Sequence, residues 1–228
     1  MAAWWVASLA GIGVAGGAPL ASGPERARAL AADLHLAAPT LDGGILQRAL
    51  KAARCARARG LAGDSNLFTV IDYSKPSTEK RLWVFDLGTR RLLFHELVAH
   101  GKGTGENEAL RFSNRPHSRQ TCLGLFATGE AYEGEHGYSL RLDGLDPGVN
   151  CQARARAIVI HGAAYVSEVF AARHGRLGRS WGCPAVGAEI ARPIIDAIRD
   201  GSLLYAYGND PDWLAATEHD QSLCSTSP

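Results

Sequence analysis

Residues 67–99 read LFTVIDYSKPSTEKRLWVFDLGTRRLLFHELVA, and this stretch decides the fold class. Leu67–Asp72 and Leu82–Leu87 are short apolar runs rich in β-branched and aromatic side chains, parted by Ser74–Lys80 with Pro76 as a breaker. Gly88 and Thr89 turn the chain into a third run, Leu92–Ala99. Runs of this length, joined by polar turns, predict a β-meander. Further strands are expected at Leu123–Thr128, Tyr138–Leu142, Ala155–Ile160 and Ser202–Tyr207. Leu140 and Leu142 alternate with Ser139 and Arg141, whereas Ala155–Ile160 ends in the continuous apolar run of a strand covered on both faces. Ala188–Asp200 carries Ile190, Ile194 and Ile198 at helical spacing and stops at Gly201. The sum is a mainly β chain of the α+β class, an antiparallel barrel or sandwich with short helices.

Upstream of the strands the texture is helical. Leu41, Ile45, Leu46, Ala49, Leu50 and Ala53 recur at helical spacing, with Lys51, Arg54 and Arg57 on the other face and Gly60 as a stop. Residues 2–21 carry no charge and end in small residues, the grammar of a secretory signal, although no basic residue precedes the apolar run. An uncleaved anchor, a misplaced start or an unstructured Ala-rich arm are the other readings. The expected organisation is therefore a signal or anchor over 1–23 and a helical segment over 24–63. A catalytic-sized β domain over 64–210 and a tail over 211–228 complete it.

The chain has 228 residues, 46% hydrophobic and 21% charged, with net charge +1. Disorder and coiled coil are excluded by these fractions, and a nucleic-acid surface by the balance of charge. Residues 1–62 sum to +4 and the remainder to −3, too mild an asymmetry to define a polyanion site. Residues 101–120 form a Gly-rich polar loop, which at that length inside a compact domain is functional or a covering flap. Gly101, Gly103 and Gly105 imitate a phosphate loop but lack its GK[ST] continuation.

Two short motifs carry the chemistry. In Ile158-Val159-Ile160-His161-Gly162 a histidine stands at the mouth of the most buried-looking strand, where Gly162 lets the chain turn away. In Gly178-Arg179-Ser180-Trp181-Gly182-Cys183-Pro184 a glycine precedes a cysteine, so that successive backbone N–H groups can face one substrate oxygen. Singly, each residue reads as structural: a buried small thiol, a satisfied histidine. Paired, they are the minimal equipment for acyl transfer, in which imidazole promotes the thiolate and the thiolate attacks a carbonyl. A zinc site on Cys183, His161 and His174 is the remaining option, and no CxxC or HExxH spacing supports it.

With HG followed by SxGC, the sequence resembles the L,D-transpeptidases with a YkuD-type catalytic domain, and more narrowly a divergent branch whose motif runs SxGCPA. The resemblance extends from Phe68 to about Tyr207 and takes in AHGKGTG (99–105), FSN (112–114), SLRLDGL (139–145), RAIVIHGAAYVS (156–167) and GRSWGCPAV (178–186). It implies that Cys183 attacks a donor peptidoglycan stem peptide at an L-centre, with His161 as base and the Gly162 carbonyl orienting it. The N–H groups of Gly182 and Cys183 would form the oxyanion hole. The acyl group would pass to a diaminopimelate amine of a second stem. Partners would be donor and acceptor stems, with a possible N-terminal tether, a location in the periplasm or cell envelope, carbapenem sensitivity, and no metal or organic cofactor. Two departures stand out: Trp181 replaces a common histidine, and Pro184 and Ala185 occupy the places of an arginine that can meet a substrate carboxylate. Arg179 is the candidate replacement, and Ser180, Trp181, His100, Ser113, Asn114 and Ser118 are expected to line the cleft. Hydrolysis by the same site, an L,D-carboxypeptidase, and a non-catalytic wall-binding protein are the competing readings.

Five cysteines leave one over if the others pair. Cys183 is expected free; Cys55, Cys122, Cys151 and Cys224 allow two disulfides in three ways, with Cys122–Cys151 the first pair to examine.

Overall fold

A computed structural model describes residues 23–223. The expected signal or anchor over residues 1–23, apart from Gly23, and Cys224 lie outside the described residues. Two helices, α1 (Gly23–Ala37) and α2 (Gly43–Ala58), precede the strands β1 (Leu67–Asp72), β2 (Leu82–Asp86), β3 (Arg91–Glu96), β4 (Val98–Ala99), β5 (Gly124–Gly134), β6 (Gly137–Gly144) and β7 (Val159–Ala163). Helix α3 (Glu168–His174), β8 (Ala185–Gly187), α4 (Ala188–Ile198), β9 (Leu203–Tyr207) and α5 (Pro211–Leu223) complete the chain. Asp42 caps α2 by accepting the Ile45 N–H at 2.9 Å, and Ile45, Leu46, Ala49 and Ala53 form its buried stripe. Gly60, with φ +69°, reverses the chain after it.

The strands form one mixed sheet in the order β3-β2-β1-β9-β5-β6-β7-β8-β4. The sheet is therefore not purely antiparallel: β1 pairs with β9, and β7 with β8, in parallel. Its two edge strands, β3 and β4, are separated in the chain by Leu97 alone, so the sheet curls into a nearly closed barrel. The single run expected over Leu92–Ala99 is thus two strands, broken where the chain steps from one edge to the other. Arg81, fully buried, staples that seam: its amide donates to Glu96 O, its guanidinium to Val98 O at 3.0 and 3.1 Å and to Lys75 O at 2.6 Å. Burial pushes its pKa down to about 10, so it stays charged at neutral pH and its donors remain in use.

One buried cluster takes in Phe68, Val70, Trp83, Phe85, Phe126, Leu140 and Ile160 from the sheet and Ile194, Ile195 and Ile198 from α4. The buried stripe of α4 is Ala191, Ile194, Ile195 and Ile198, one residue round from the stripe read in the sequence. Helix α4 lies across β7. A Cβ on Gly162 would sit 2.9 Å from Ala191 Cβ and 3.2 Å from Ala188 Cα. The glycine accommodates a helix crossing the strand; the strand runs on through it to Ala163 rather than turning away.

The strand expected over Ala155–Ile160 starts later. Residues 151–157 are turns, Ala157 has φ +53°, and the Ile158 N–H returns to Ala153 O at 2.9 Å. His161 accordingly sits inside β7, not at its mouth. The Cys122–Cys151 disulfide is absent: both are free, Cys122 buried against the core and Cys151 exposed on the turn, where Asn114 Nδ2 donates to its sulfur at 3.4 Å. Cys55 is disulfide-bonded and Cys183 is free.

Candidate active site

The parallel β7–β8 pair assembles the site. Its register sets His161 against Ala185 and Gly162 against Val186. Cys183 precedes Ala185 by two residues and so lies level with Val159, whose N–H reaches its sulfur at 3.5 Å. The thiol itself donates to Ala157 O at 3.6 Å. His161 and Cys183 are therefore diagonal neighbours on adjacent chains, about 7 Å apart along the strand direction. Segment 164–184, including α3, is the crossover that a parallel pair requires, and it joins motifs that are separate in sequence.

His161 is buried and its Nδ1 lies 3.0 Å from the carbonyl oxygen of Gly162. That contact fixes the proton on Nδ1 and leaves Nε2 as the free lone pair. Burial, above all, holds the imidazole below its ordinary pKa, the Gly162 hydrogen bond opposes this, and the ring of His136, stacked at 4.8 Å, lowers it further. The thiol of Cys183 is held above its ordinary value by burial, against the Val159 N–H and the nearby Arg156 cation. Both groups rest neutral at pH 7.

The loop that carries Cys183, the candidate nucleophile, is shaped by its own side chains. Ser180 Oγ donates to Cys183 O at 2.6 Å and accepts the Gly182 N–H at 3.0 Å, so the serine builds the turn instead of facing substrate. Gly182 has φ +130°, closed in practice to other residues, and a Cβ there would lie 2.9 Å from Gln120 O. Thr121 Oγ1 donates to Gly182 O at 3.2 Å and accepts the Gly101 N–H at 2.9 Å. Segment 101–121 is thus strapped onto the nucleophile loop, which also forms a parallel bridge between Gly101 and Ser180. Its glycines serve close packing, not phosphate binding: a Cβ on Gly101 would fall 2.4 Å from Arg119 O and 2.8 Å from Gly182 Cα and N. Gly101→Ala is expected to cost about 1–3 kcal/mol in overpacking and to lower nucleophile reactivity by displacing Gly182. Urea unfolding and Cys183 alkylation rates check the two effects.

The remaining expected residues divide. His100 is buried behind the loop, its Nδ1 2.8 Å from Arg81 Nη2, and burial beside that cation pushes its pKa down to about 4. It holds Ser180 through its carbonyl, which accepts the Ser180 N–H at 3.1 Å, and does not line the cleft. Arg179 is committed to Glu106 Oε1 at 2.5 Å and Gly105 O at 3.0 Å. Asn114 accepts the Gln152 N–H at 3.0 Å, and Ser113 Oγ caps the Arg115 amide at 3.0 Å. Trp181, two residues before Cys183, is 69% exposed.

Arg156 is the site residue that motif reading passes over. Its Nη1 donates to Ser113 O and its Nη2 to Gln120 O, both at 2.6 Å, and Nη2 also reaches Ser118 Oγ at 3.3 Å. It ties the covering segment to the turn before β7 and sets a positive charge near the thiol. The only available signal was its position five residues before His161, which gives no direction for its side chain.

A curled mixed sheet thus carries a Gly-Cys loop near an oriented histidine, the groups that thiol acyl transfer would require. The family model for the L,D-transpeptidase catalytic domain, YkuD_2, matches residues 37–207, and the chain belongs to that family. Among solved structures, an L,D-transpeptidase from Mycobacterium smegmatis is 13% identical, with 63% of this chain and 59% of that one covered and a TM-score of 0.38. L,D-transpeptidase 1 of Mycobacterium tuberculosis is 15% identical over 62% of each chain, with a TM-score of 0.36. An L,D-transpeptidase from Stackebrandtia nassauensis is 13% identical, with 82% of this chain and 93% of that one covered and a TM-score of 0.38. The chain spans about three fifths of the length of the mycobacterial proteins. No curated protein matches it.

Proposed function

We propose that the protein is a cysteine-dependent L,D-transpeptidase acting on peptidoglycan stem peptides outside the cytoplasm. The observation that carries this reading is the β7–β8 register, which sets Cys183 beside Val159 and two positions from a histidine already oriented by Gly162. In the proposed reaction Nε2 of His161 takes the thiol proton as Sγ adds to the donor carbonyl. The amides of Gly182 and Cys183 hold the resulting oxyanion, once Ser180 Oγ releases the Gly182 N–H it accepts at rest. Collapse breaks the C–N bond, and His161 returns the proton to the leaving amine, freeing the D-residue. A diaminopimelate amine of a second stem then loses its proton to His161, adds to the thioester, and expels Cys183 as thiol. The atoms balance without a cofactor. An extracytoplasmic location follows from the substrate; among the described residues no helix is long and apolar enough to cross a membrane.

Purified protein given a disaccharide tetrapeptide as sole donor and acceptor is expected to release D-alanine and form a 3→3 cross-linked dimer. Release with only free tripeptide would replace transpeptidation by hydrolysis, and no release would overturn the reading.

A further inference from the structure

Beside the loop that carries Cys183 stand two cations that pack on an aromatic ring and, among the described residues, meet no carboxylate. Trp181, two residues from the nucleophile, exposes its ring, and two cations flank it: the Arg119 guanidinium carbon lies 4.9 Å and Lys102 Nζ 5.8 Å from the ring centroid. Among the described residues neither cation forms an ion pair. Of the carboxylates in the covering segment, Glu106 is taken by Arg176 at 2.9 Å and Arg179 at 2.5 Å. Residues 101–120 otherwise carry Lys102, Arg111, Arg115 and Arg119 against Glu106 and Glu108.

The placement of the two cations is fixed from the backbone. The Lys102 N–H donates to Ser180 O at 2.9 Å, and the Arg119 carbonyl accepts the Gly103 N–H at 2.8 Å. Arg119 itself holds φ +55°, a conformation that an ordinary loop residue avoids. A guanidinium laid against an indole keeps its N–H edge free, and that edge matches a carboxylate. Contact with the ring also restricts the side chain, so less rotamer entropy is lost when an anion binds.

We propose that Arg119 and Lys102, held on Trp181, form the subsite for a carboxylate of the acyl donor, one or two residues beyond the carbonyl that Cys183 attacks. The loop contacts keep the pair next to the nucleophile segment, since the Lys102 N–H bonds Ser180 O and Gly101 packs against Gly182. The subsite stands in for the cation missing after Cys183, since Arg179 is already neutralised by Glu106. This inference rests on the transpeptidase reading of the same site.

The test uses full-length Cys183→Ala protein, which binds without turnover, and two probes: the stem tetrapeptide with a free C-terminal carboxylate, and the same peptide as its C-terminal carboxamide. Calorimetry is expected to show the carboxylate bound about tenfold more tightly, the scale of one charge-assisted hydrogen-bonded contact. Adding Arg119→Gln or Lys102→Gln should shrink that ratio toward one while leaving the carboxamide affinity unchanged. Equal affinities in the parent overturn the subsite, as does an equal loss for both peptides in the variants, which marks a structural role. Failure of either peptide to bind at millimolar concentration also overturns it. A carbapenem adduct on Cys183 of the unsubstituted protein, read by mass spectrometry, tests the transpeptidase reading separately, so the two failures are distinguishable.

Discussion

Cys183→Ala is expected to stop dimer formation and carbapenem acylation altogether, a fall of about 10³-fold or more, the scale on which covalent catalysis collapses without its nucleophile. The protein should remain folded. The side chain is half-buried, and among the described residues its sulfur contacts are those at 3.5 and 3.6 Å with Val159 N–H and Ala157 O. What shapes the loop is elsewhere: Ser180 Oγ bridging Gly182 and Cys183, Thr121 on Gly182 O, and the Gly101–Gly182 contact. Near-UV circular dichroism and urea midpoint should therefore match the parent within the cost of one removed sulfur. Muropeptide chromatography reads the activity. Persistent dimer formation in the variant would move the chemistry to another residue. Loss of both fold and activity would show that the thiol is structural.

This division between a silent nucleophile and a structural loop was only partly legible in the sequence. The paired motifs pointed to His161, Gly162 and Cys183 because each needs a special neighbour: a histidine on a strand, and a glycine where no other residue fits. The meander was legible because Leu67–Asp72 and Leu82–Asp86 bury nearly every side chain and so read as unbroken apolar runs. The second half of β5 was not. Residues 129–134 leave the core as an exposed hairpin arm, with Glu130 paired to Arg141 at 2.7 Å, so no apolar signal marks them. The parallel pairings were hidden for a different reason. They join residues far apart in the chain, and local composition holds no record of which strand lies beside which.

The misplaced residues follow the same physics. His100 and Arg81 form a buried pair, and a polar side chain that satisfies another polar side chain looks, in sequence, like one waiting for a substrate. Arg179 looked available until the fold brought Glu106 to it. Conversely, Arg119 and Arg156 gained their positions through the strap between segment 101–121 and the nucleophile loop, a contact no spacing rule encodes.

The second large effect concerns the resting charge of the Cys–His pair. A preformed thiolate–imidazolium pair needs mutual contact, each charge stabilising the other. Here the sulfur makes its two hydrogen bonds with the backbone and none with the ring, and the ring is held by Gly162 and stacked on His136. Burial then pushes each group toward its neutral form: the thiol up, the imidazole down. The sign of the consequence is definite. Lowering pH protonates His161 only below its ordinary value near 6.5, so the acid limb of kcat/KM is expected below that pH. Raising pH forms thiolate only above the free-thiol range near 8.5, so iodoacetamide alkylation should climb through pH 8–9 with no plateau between pH 5 and 7. His161→Gln should lower kcat/KM about 10²–10⁴-fold, the worth of a positioned general base, while moving the alkylation profile little. A neutral-pH alkylation plateau that His161→Gln removes would instead establish the ion pair, and with it a nucleophile charged before substrate arrives. The expected pattern assigns activation to the moment of attack, when the donor carbonyl draws Sγ from the Ala157 carbonyl and delivers its proton to Nε2.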